Sequence, residues 1–250
     1  MSHFAEILQS FTPISLKEME AVELMNRKDT KYFFDRKKLD DVLEELQPDY
    51  KVMQIDTNRF FSYKNIYFDT PEFACYTAHH NKRVNRYKIR IRQYVESNLT
   101  FLEIKFKINT GRTIKSRISI PAFDPVFTEE ARNFLTTHTP FDPDSLQPTL
   151  WNDFKRFTLV SKSMSERATI DTDLHFKTPD GERHLHQLCI AELKLDGSSS
   201  GSKFKVAMRE NFCPEARISK YSVGAAFMYE DLKQNNFKFK KIQINRIENA

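Results

Sequence analysis

The stretch YKIRIRQY, residues 87–94, alternates the cations Lys88, Arg90 and Arg92 with the apolar pair Ile89 and Ile91. Successive side chains leave a strand on opposite faces, so this period-two pattern predicts a half-buried β-strand. The fold turns on where its charged face points. In an ordinary sheet that face meets water; in a sheet rolled on itself it lines the interior.

Other segments repeat the polarity. In TFLEIKFKI (100–108), Glu103, Lys105 and Lys107 share a face opposite Leu102, Ile104 and Phe106. In TIKSRISI (113–120), Lys115 and Arg117 oppose Ile114, Ser116 and Ile118. Glu192 and Lys194 oppose Ala191, Leu193 and Leu195, and Arg167, Asp171 and Asp173 oppose Ala168 and Ile170. Two architectures fit. A flat sheet would pack its apolar faces on helices and solvate the charged ones, the usual fate of any one such strand. A closed barrel of about eight strands would instead gather the cations around a cavity wide enough for one small ligand. Like charges crowded there repel by several kcal/mol per pair at an effective dielectric near 20. Such a lumen needs acidic partners or a polyanion, and a phosphate chain fits the forked donors of arginine. A remaining carboxylate could hold Mg²⁺ or Mn²⁺, which prefer oxygen ligands.

The 250-residue chain carries a net charge of +5, is 40% hydrophobic and has 22 Phe but only 5 Gly. It contains neither G-x-x-x-x-G-K-[ST] nor G-x-G-x-x-G, which argues against P-loop and dinucleotide-binding folds. Cys75, Cys189 and Cys213 form no C-x-x-C pair, so a reducing compartment is expected. The N-terminus has no signal-peptide pattern, and no stretch approaches the ~20 apolar residues of a membrane span. A cytoplasmic protein is expected.

Helical spacing appears over 15–26, over DRKKLDDVLEELQP (35–48), at 73–81, at 128–138, at 203–212 and after Lys220. Strands are expected at 27–34, 52–56, 65–70, 87–94, 100–108, 113–120, 154–163, 167–176 and 186–197, with TPDG (178–181) a tight turn and SSSGS (198–202) a connector. The fold class expected is α+β, one domain over 1–250, with a closed antiparallel β-barrel of basic lumen surrounded by helices.

Several motifs in order carry a family resemblance: R-x-D-T-K-Y (27–32), Y-F-D-T (67–70), Arg90-x-Arg92, Glu103-x-Lys105, I-K-x-R (114–117), R-x-T-I-D-T-D (167–173), A-E-L-K (191–194) and S-K-Y (219–221). Together they resemble the VTC domain, the polyphosphate polymerase branch of the triphosphate tunnel metalloenzymes. The resemblance runs from about Met25 to Met228 and implies a tunnel that binds ATP and inorganic polyphosphate with Mn²⁺ or Mg²⁺. It implies transfer of the γ-phosphoryl of ATP onto a growing polyphosphate chain, with hydrolysis of a triphosphate or plain polyanion binding as the alternatives. By position, Lys31, Arg90, Arg92, Lys105 and Lys220 resemble the catalytic cations. Lys115, Arg117, Arg156, Arg167 and Ser219 resemble the remaining phosphate ligands, Lys88 is expected at the tunnel mouth, and Glu192 resembles the metal-binding carboxylate. The chain lacks the E-x-E-x-K that marks hydrolytic relatives, and it lacks the regulatory domain and membrane helices of eukaryotic members. It thus resembles a stand-alone bacterial form, which leaves room for a separate membrane partner.

Other features read more plainly. His184 and His186 are spaced like same-face strand residues, but no third metal ligand stands out in sequence; His79–His80 is a second pair. Asp171 and Asp173 are expected to pair with lumen cations or cap a turn, and Trp151 and the phenylalanines to fill the space between sheet and helices. Nucleic acid is not expected as a partner, because the aromatics fall on the apolar faces, with Tyr94 the exception.

Overall fold

The computed structural model describes residues 3–20, 27–196 and 201–250. The C-terminal part of the helix expected over 15–26, with Val22 and Leu24, and part of the 198–202 connector lie outside the described residues. The elements run α1 (His3–Ser10), β1 (Thr12–Ile14), α2 (Leu16–Glu20), β2 (Arg27–Asp35), α3 (Leu39–Leu46), β3 (Tyr50–Met53), β4 (Phe61–Asp69), α4 (Ala74–His80), β5 (Arg86–Tyr94), β6 (Leu99–Lys107) and β7 (Thr113–Ser119). They continue with α5 (Glu129–His138), β8 (Gln147–Ser161), β9 (Glu166–Thr178), β10 (Gly181–Leu185), β11 (Leu188–Asp196), α6 (Lys203–Glu210), α7 (Lys220–Met228) and α8 (Lys238–Glu248). Among the described residues no helix is long and apolar enough to cross a membrane.

The strands form one 11-stranded sheet with the backbone order β2-β11-β9-β8-β4-β5-β6-β7. Its ladders are antiparallel except for β1 against β3. The expected closed barrel is not formed: among the described residues the ladder ends at β2 and at β7, and the two do not pair. The cause lies in β7, whose seven residues are mostly exposed on both faces. No apolar face draws β7 over onto β2, and Lys and Arg along an edge strand discourage further pairing.

The sheet nevertheless curls. Lys31 on β2 and Lys88 on β5 stand five ladder steps apart, which on a flat sheet is about 24 Å at ~4.8 Å per strand. Yet both strands reach the segment just before α7: Ala216 N–H donates to the Lys31 carbonyl at 2.7 Å, and Lys88 donates to Ser219 Oγ at 3.0 Å. The sheet therefore bends into a trough that brings both ends toward one centre.

Residues opposed across a strand pair share a face. Lys31 opposes Glu192, Asp171 opposes Arg156, and Tyr63 opposes both Phe154 and Tyr94. Asn65 opposes Arg92, Arg90 opposes Glu103, and Lys88 opposes Lys105. These residues line the concave face. The convex face is apolar, as the alternation predicts. Ile66, Phe68, Ile89, Ile91, Leu102 and Ile104 pack with Ala131 and Leu135 of α5. Phe157, Leu159, Ala168, Ile170, Ala191 and Leu193 pack with residues of α1, α3 and α6.

One end of the trough is filled by α7. Tyr221, Val223, Ala225 and Ala226 join Leu150, Leu174 and Phe176 in a core. Gly224 permits the close approach, since a Cβ built there would stand 2.6 Å from Phe176 Cδ1 and 2.7 Å from Leu150 Cδ2. Asp69, of the Y-F-D-T motif, anchors the same end. Its carboxylate accepts from the amides of Cys75 and Tyr76 at 2.8 and 2.9 Å and from the Tyr221 hydroxyl at 2.5 Å. This motif is therefore a strut between β4, α4 and α7.

Gly224→Ala should destabilise the protein by about 1–3 kcal/mol of overpacking, less the ~1 kcal/mol of helix propensity that alanine adds. Urea unfolding of the two proteins measures the difference. Equal or greater stability in the variant would show that α7 does not press on β8 and β9 as described.

Candidate functional site

Three carboxylates organise the concave face. Asp171, only 2% exposed, receives Arg156 in a fork, Nε to Oδ1 at 2.5 Å and Nη2 to Oδ2 at 2.9 Å. Its Oδ2 also accepts from Lys220 of α7. Glu103 accepts Arg90 through Nε at 2.8 Å and Nη2 at 2.5 Å. Glu192 pairs with Lys31 across β11 and β2. Burial pushes all three carboxylates up, but the cations win. Arg156 and Lys220 hold Asp171 at about 2, Arg90, Arg92 and Lys105 hold Glu103 at about 2, and Lys31 with Lys194 holds Glu192 well below the usual carboxylate range. All three are therefore ionised at neutral pH.

Lys88, Arg92 and Lys105 form no ion pair among the described residues. Arg92 donates Nε to Asn65 Oδ1 at 2.8 Å, and Asn65 in turn donates to the Asn152 carbonyl at 2.9 Å. Lys88 donates to Ser219 Oγ at 3.0 Å. Lys88, expected at a tunnel mouth, lies half-buried against the start of α7. Ser219 caps that helix, accepting from Ser222 N at 3.4 Å, so the positive end of the helix dipole faces the same centre.

Aromatic rings form part of the floor. Tyr63 and Phe154 stack at 5.2 Å between centroids, 5° from parallel. Arg92 lies 5.2 Å from the centroid of Tyr63, Arg156 lies 5.0 Å from the same ring, and Lys220 lies 4.5 Å from Phe154. Rings on the cationic face were not expected beyond Tyr94. They were hidden because Phe61 to Asp69 (FSYKNIYFD) carries apolar residues on both faces, which erases the alternation. Tyr63 and Phe154 are buried, so they offer cation–π contact to the guanidinium groups rather than platforms for bases.

The remaining expected residues lie toward the rim. Lys115 and Arg117 are exposed on the edge strand β7, where Arg117 covers Phe101 at 4.7 Å. Arg167 opposes Lys194 at one end of β9. Asp173 leaves the site altogether. A register irregularity between Asp153 and Lys155 on β8, with Asp173 itself at φ 52°, turns it toward the convex side. There it accepts from Arg36 at 2.8 Å. The R-x-T-I-D-T-D motif thus sends its two aspartates to opposite faces.

The crowding of cations shows in their protonation. Burial, then repulsion from Arg90, Lys31 and Lys220, brings Lys88 down to about 7. Repulsion from Arg90, then burial, lowers Lys105. Burial brings Lys220 down to about 8 although Asp171 opposes the shift. Charge in excess of its partners is a resting cost that a bound polyanion would remove.

Between pH about 7 and the ordinary lysine value of 10.5, folded Lys88 holds less of its proton than unfolded Lys88. Stability therefore rises with pH across that window. Lys88→Met should raise stability near neutrality and flatten that rise. Denaturant midpoints taken at several pH values in the window test it, and an unchanged slope in the variant would remove Lys88 as its source.

The VTC domain family model matches residues 26–229 of the chain. No curated relative matches the sequence. Similar solved structures include a Pyrococcus horikoshii protein at 12% identity and TM-score 0.47, covering 81% of this chain and 98% of that one. A putative adenylate cyclase from Vibrio parahaemolyticus matches at 11% identity and TM-score 0.44, covering 78% and 95%. A putative adenylyl cyclase from Hippeastrum, described as revealing a dominant triphosphatase activity, matches at 11% identity and TM-score 0.44, covering 80% and 96%. The match to the family model spans most of the chain and includes every strand of the concave face. The chain belongs to the VTC domain family.

Proposed function

We propose that the protein transfers the γ-phosphoryl group of ATP onto inorganic polyphosphate along the concave basic face. The observation that carries this reading is the excess of positive charge around buried Arg92 and half-buried Lys88 and Lys105, drawn from the adjacent strands β5 and β6. A triphosphate or polyphosphate chain is the polyanion whose repeating charge suits it, and membership of the VTC domain family supports that reading.

Each group then has a part. Arg90 and Arg92 present planar forks to non-bridging phosphate oxygens, while Lys31, Lys88, Lys105 and Lys220 act as point charges. Arg156, fixed by Asp171, and Ser219 at the start of α7 hold the phosphate chain from the other side. Lys115, Arg117 and Arg167 lie where an elongating polymer would leave the trough. The bond between the γ-phosphorus and the β–γ bridging oxygen breaks, and a bond from the γ-phosphorus to a terminal polyphosphate oxygen forms, leaving ADP. The acceptor oxygen is already anionic, so no protein nucleophile or strong general base is required. Positioning and charge stabilisation are the main parts of such a transfer.

The residues fit a hard divalent cation. Mg²⁺ and Mn²⁺ take one or two carboxylates and complete their shell with water and substrate phosphates. Glu192, ionised and on the concave face, would supply the protein ligand. When bound, the metal would neutralise charge on the phosphates.

Purified protein with ATP and Mn²⁺ should yield ADP and long phosphate chains on a gel. Orthophosphate without chains would instead indicate a triphosphatase, and salt-sensitive polyphosphate binding without turnover a binding module. Glu192→Gln should lower metal-dependent turnover by about a hundredfold while polyphosphate binding persists. Full activity in that variant would remove Glu192 as the metal ligand.

A further inference from the structure

On the convex face, away from the cations, three strands assemble a second set of ligands. His184 on β10 lies directly opposite His175 on β9, and His175 opposes Asp153 on β8. Glu182 precedes His184 by two residues and so shares its face. The sequence offered His184 and His186 without a third ligand; the hairpin supplies it from the neighbouring strand.

The atoms converge. His175 Nε2 lies 3.2 Å from Glu182 Oε2, and His184 Nε2 lies 3.8 Å from Glu182 Oε1. One donor atom from each of the three residues falls within 4.8 Å of the others. The imidazoles of His175 and His184 stack at 3.8 Å, 8° from parallel. The other ring nitrogen of His175, Nδ1, faces Asp153 Oδ2 at 4.0 Å. Asp153 thus stands on the far side of the imidazole at ion-pair but not hydrogen-bond distance, where a small rotation would supply the outer carboxylate support usual for a metal-ligating histidine.

The frame around these ligands is tied to α8. Glu248 of α8 accepts from the amides of His186 at 2.9 Å and Gln187 at 3.0 Å, and Arg183 donates to Asn245 of α8 at 2.7 Å. His184 and Glu182 are exposed, so small rotations can bring the nitrogens to the ~2.0–2.1 Å bond lengths of zinc.

We propose that His175, Glu182 and His184 bind a borderline divalent cation of the Zn²⁺ class, separate from the hard metal expected on the concave face. Two imidazoles with one carboxylate select Zn²⁺, Cu²⁺ or Ni²⁺, whereas Mg²⁺ and Mn²⁺ favour oxygen. The three ligands leave a fourth position for water. Bound there, the ion ties β9 to β10 and stabilises the folded chain by mass action.

The test is calorimetric titration of Zn²⁺ into the full chain carrying no polyhistidine tag. Uptake of one Zn²⁺ per chain is expected, weakened at least about tenfold by His175→Ala and by His184→Ala. Glu192→Gln, on the opposite face, should leave this uptake unchanged. Zn²⁺ should also raise the thermal midpoint of the natural protein and not of the histidine variants; His184→Gln, closer in volume, serves if His184→Ala fails to fold. Absence of Zn²⁺ binding to the natural protein, equal affinity in the histidine variants, or loss of uptake in Glu192→Gln would each overturn the proposal.

Discussion

The structure depends on the buried triad of Arg156, Asp171 and Lys220. It ties the consecutive strands β8 and β9 to the start of α7, where Lys220 stands 49 positions beyond Asp171. Taking such charges out of water costs several kcal/mol per ion, so the contact persists only because geometry and charge match. The forked pair from Arg156 satisfies both oxygens of Asp171, and Lys220 then places α7 across the trough. Removing the carboxylate would leave two buried cations facing each other, a larger penalty than the loss of one hydrogen bond. The position of Ser219, and through it the hydrogen bond of Lys88, follows from this contact.

The face built around the triad solves charge crowding in two ways. Arg90 and Arg156 keep their charge because each has its own buried carboxylate. Lys88 and Lys105 have no such partner and lose affinity for their protons instead. Arginine cannot take that second course, since it stays protonated in proteins. Arg92, which forms no ion pair, is accordingly placed against the ring of Tyr63 and the amide of Asn65. Residue type thus limits the remedy: a guanidinium without a carboxylate must be stacked or hydrogen-bonded, whereas the ammonium groups of Lys88 and Lys105 can lower their proton affinity.

How much of this was legible follows from the same physics. Period-two alternation in 87–94 and 100–107 reported both faces correctly, because the charged face of each strand carries a single ring, Tyr94 and Phe101, against otherwise charged or polar residues. It was silent about which strands end the sheet, since alternation records what lies above and below a strand and not what lies beside it. That is why a closed barrel was expected where β2 and β7 stay apart. Tyr63, Asn65 and Phe154 were hidden by strands with apolar residues on both faces. The strand β8 begins at Gln147, inside a Pro-rich stretch that reads as a bend. The short β10, GERHL, carries too little apolar pattern to stand out, and with it went the partner of His175. Cation identities at Lys31, Arg90, Lys105 and Lys220 were readable as motif residues, but only the fold showed that α7 completes the group.

The register irregularity between β8 and β9, with its extra residue on β9, links the two proposed sites. Upstream of it, Asn152 and Phe176 face the concave side while Asp153 and His175 face outward; downstream, Arg156 and Asp171 face inward. Asp173, at φ 52°, takes up the extra residue without a glycine, and the carboxyl of an aspartate so placed can bond locally and tolerate the left-handed backbone. Its contact with Arg36 secures that turn from the helical side. A strand without the irregularity would send Asp173 and His175 to the face of Asp171, adding a carboxylate and an imidazole to a group that depends on excess positive charge. The bulge therefore keeps oxygen-ligand chemistry and imidazole chemistry on opposite sides of one sheet. Under the two proposals above, a hard and a borderline cation would not compete for the same donors.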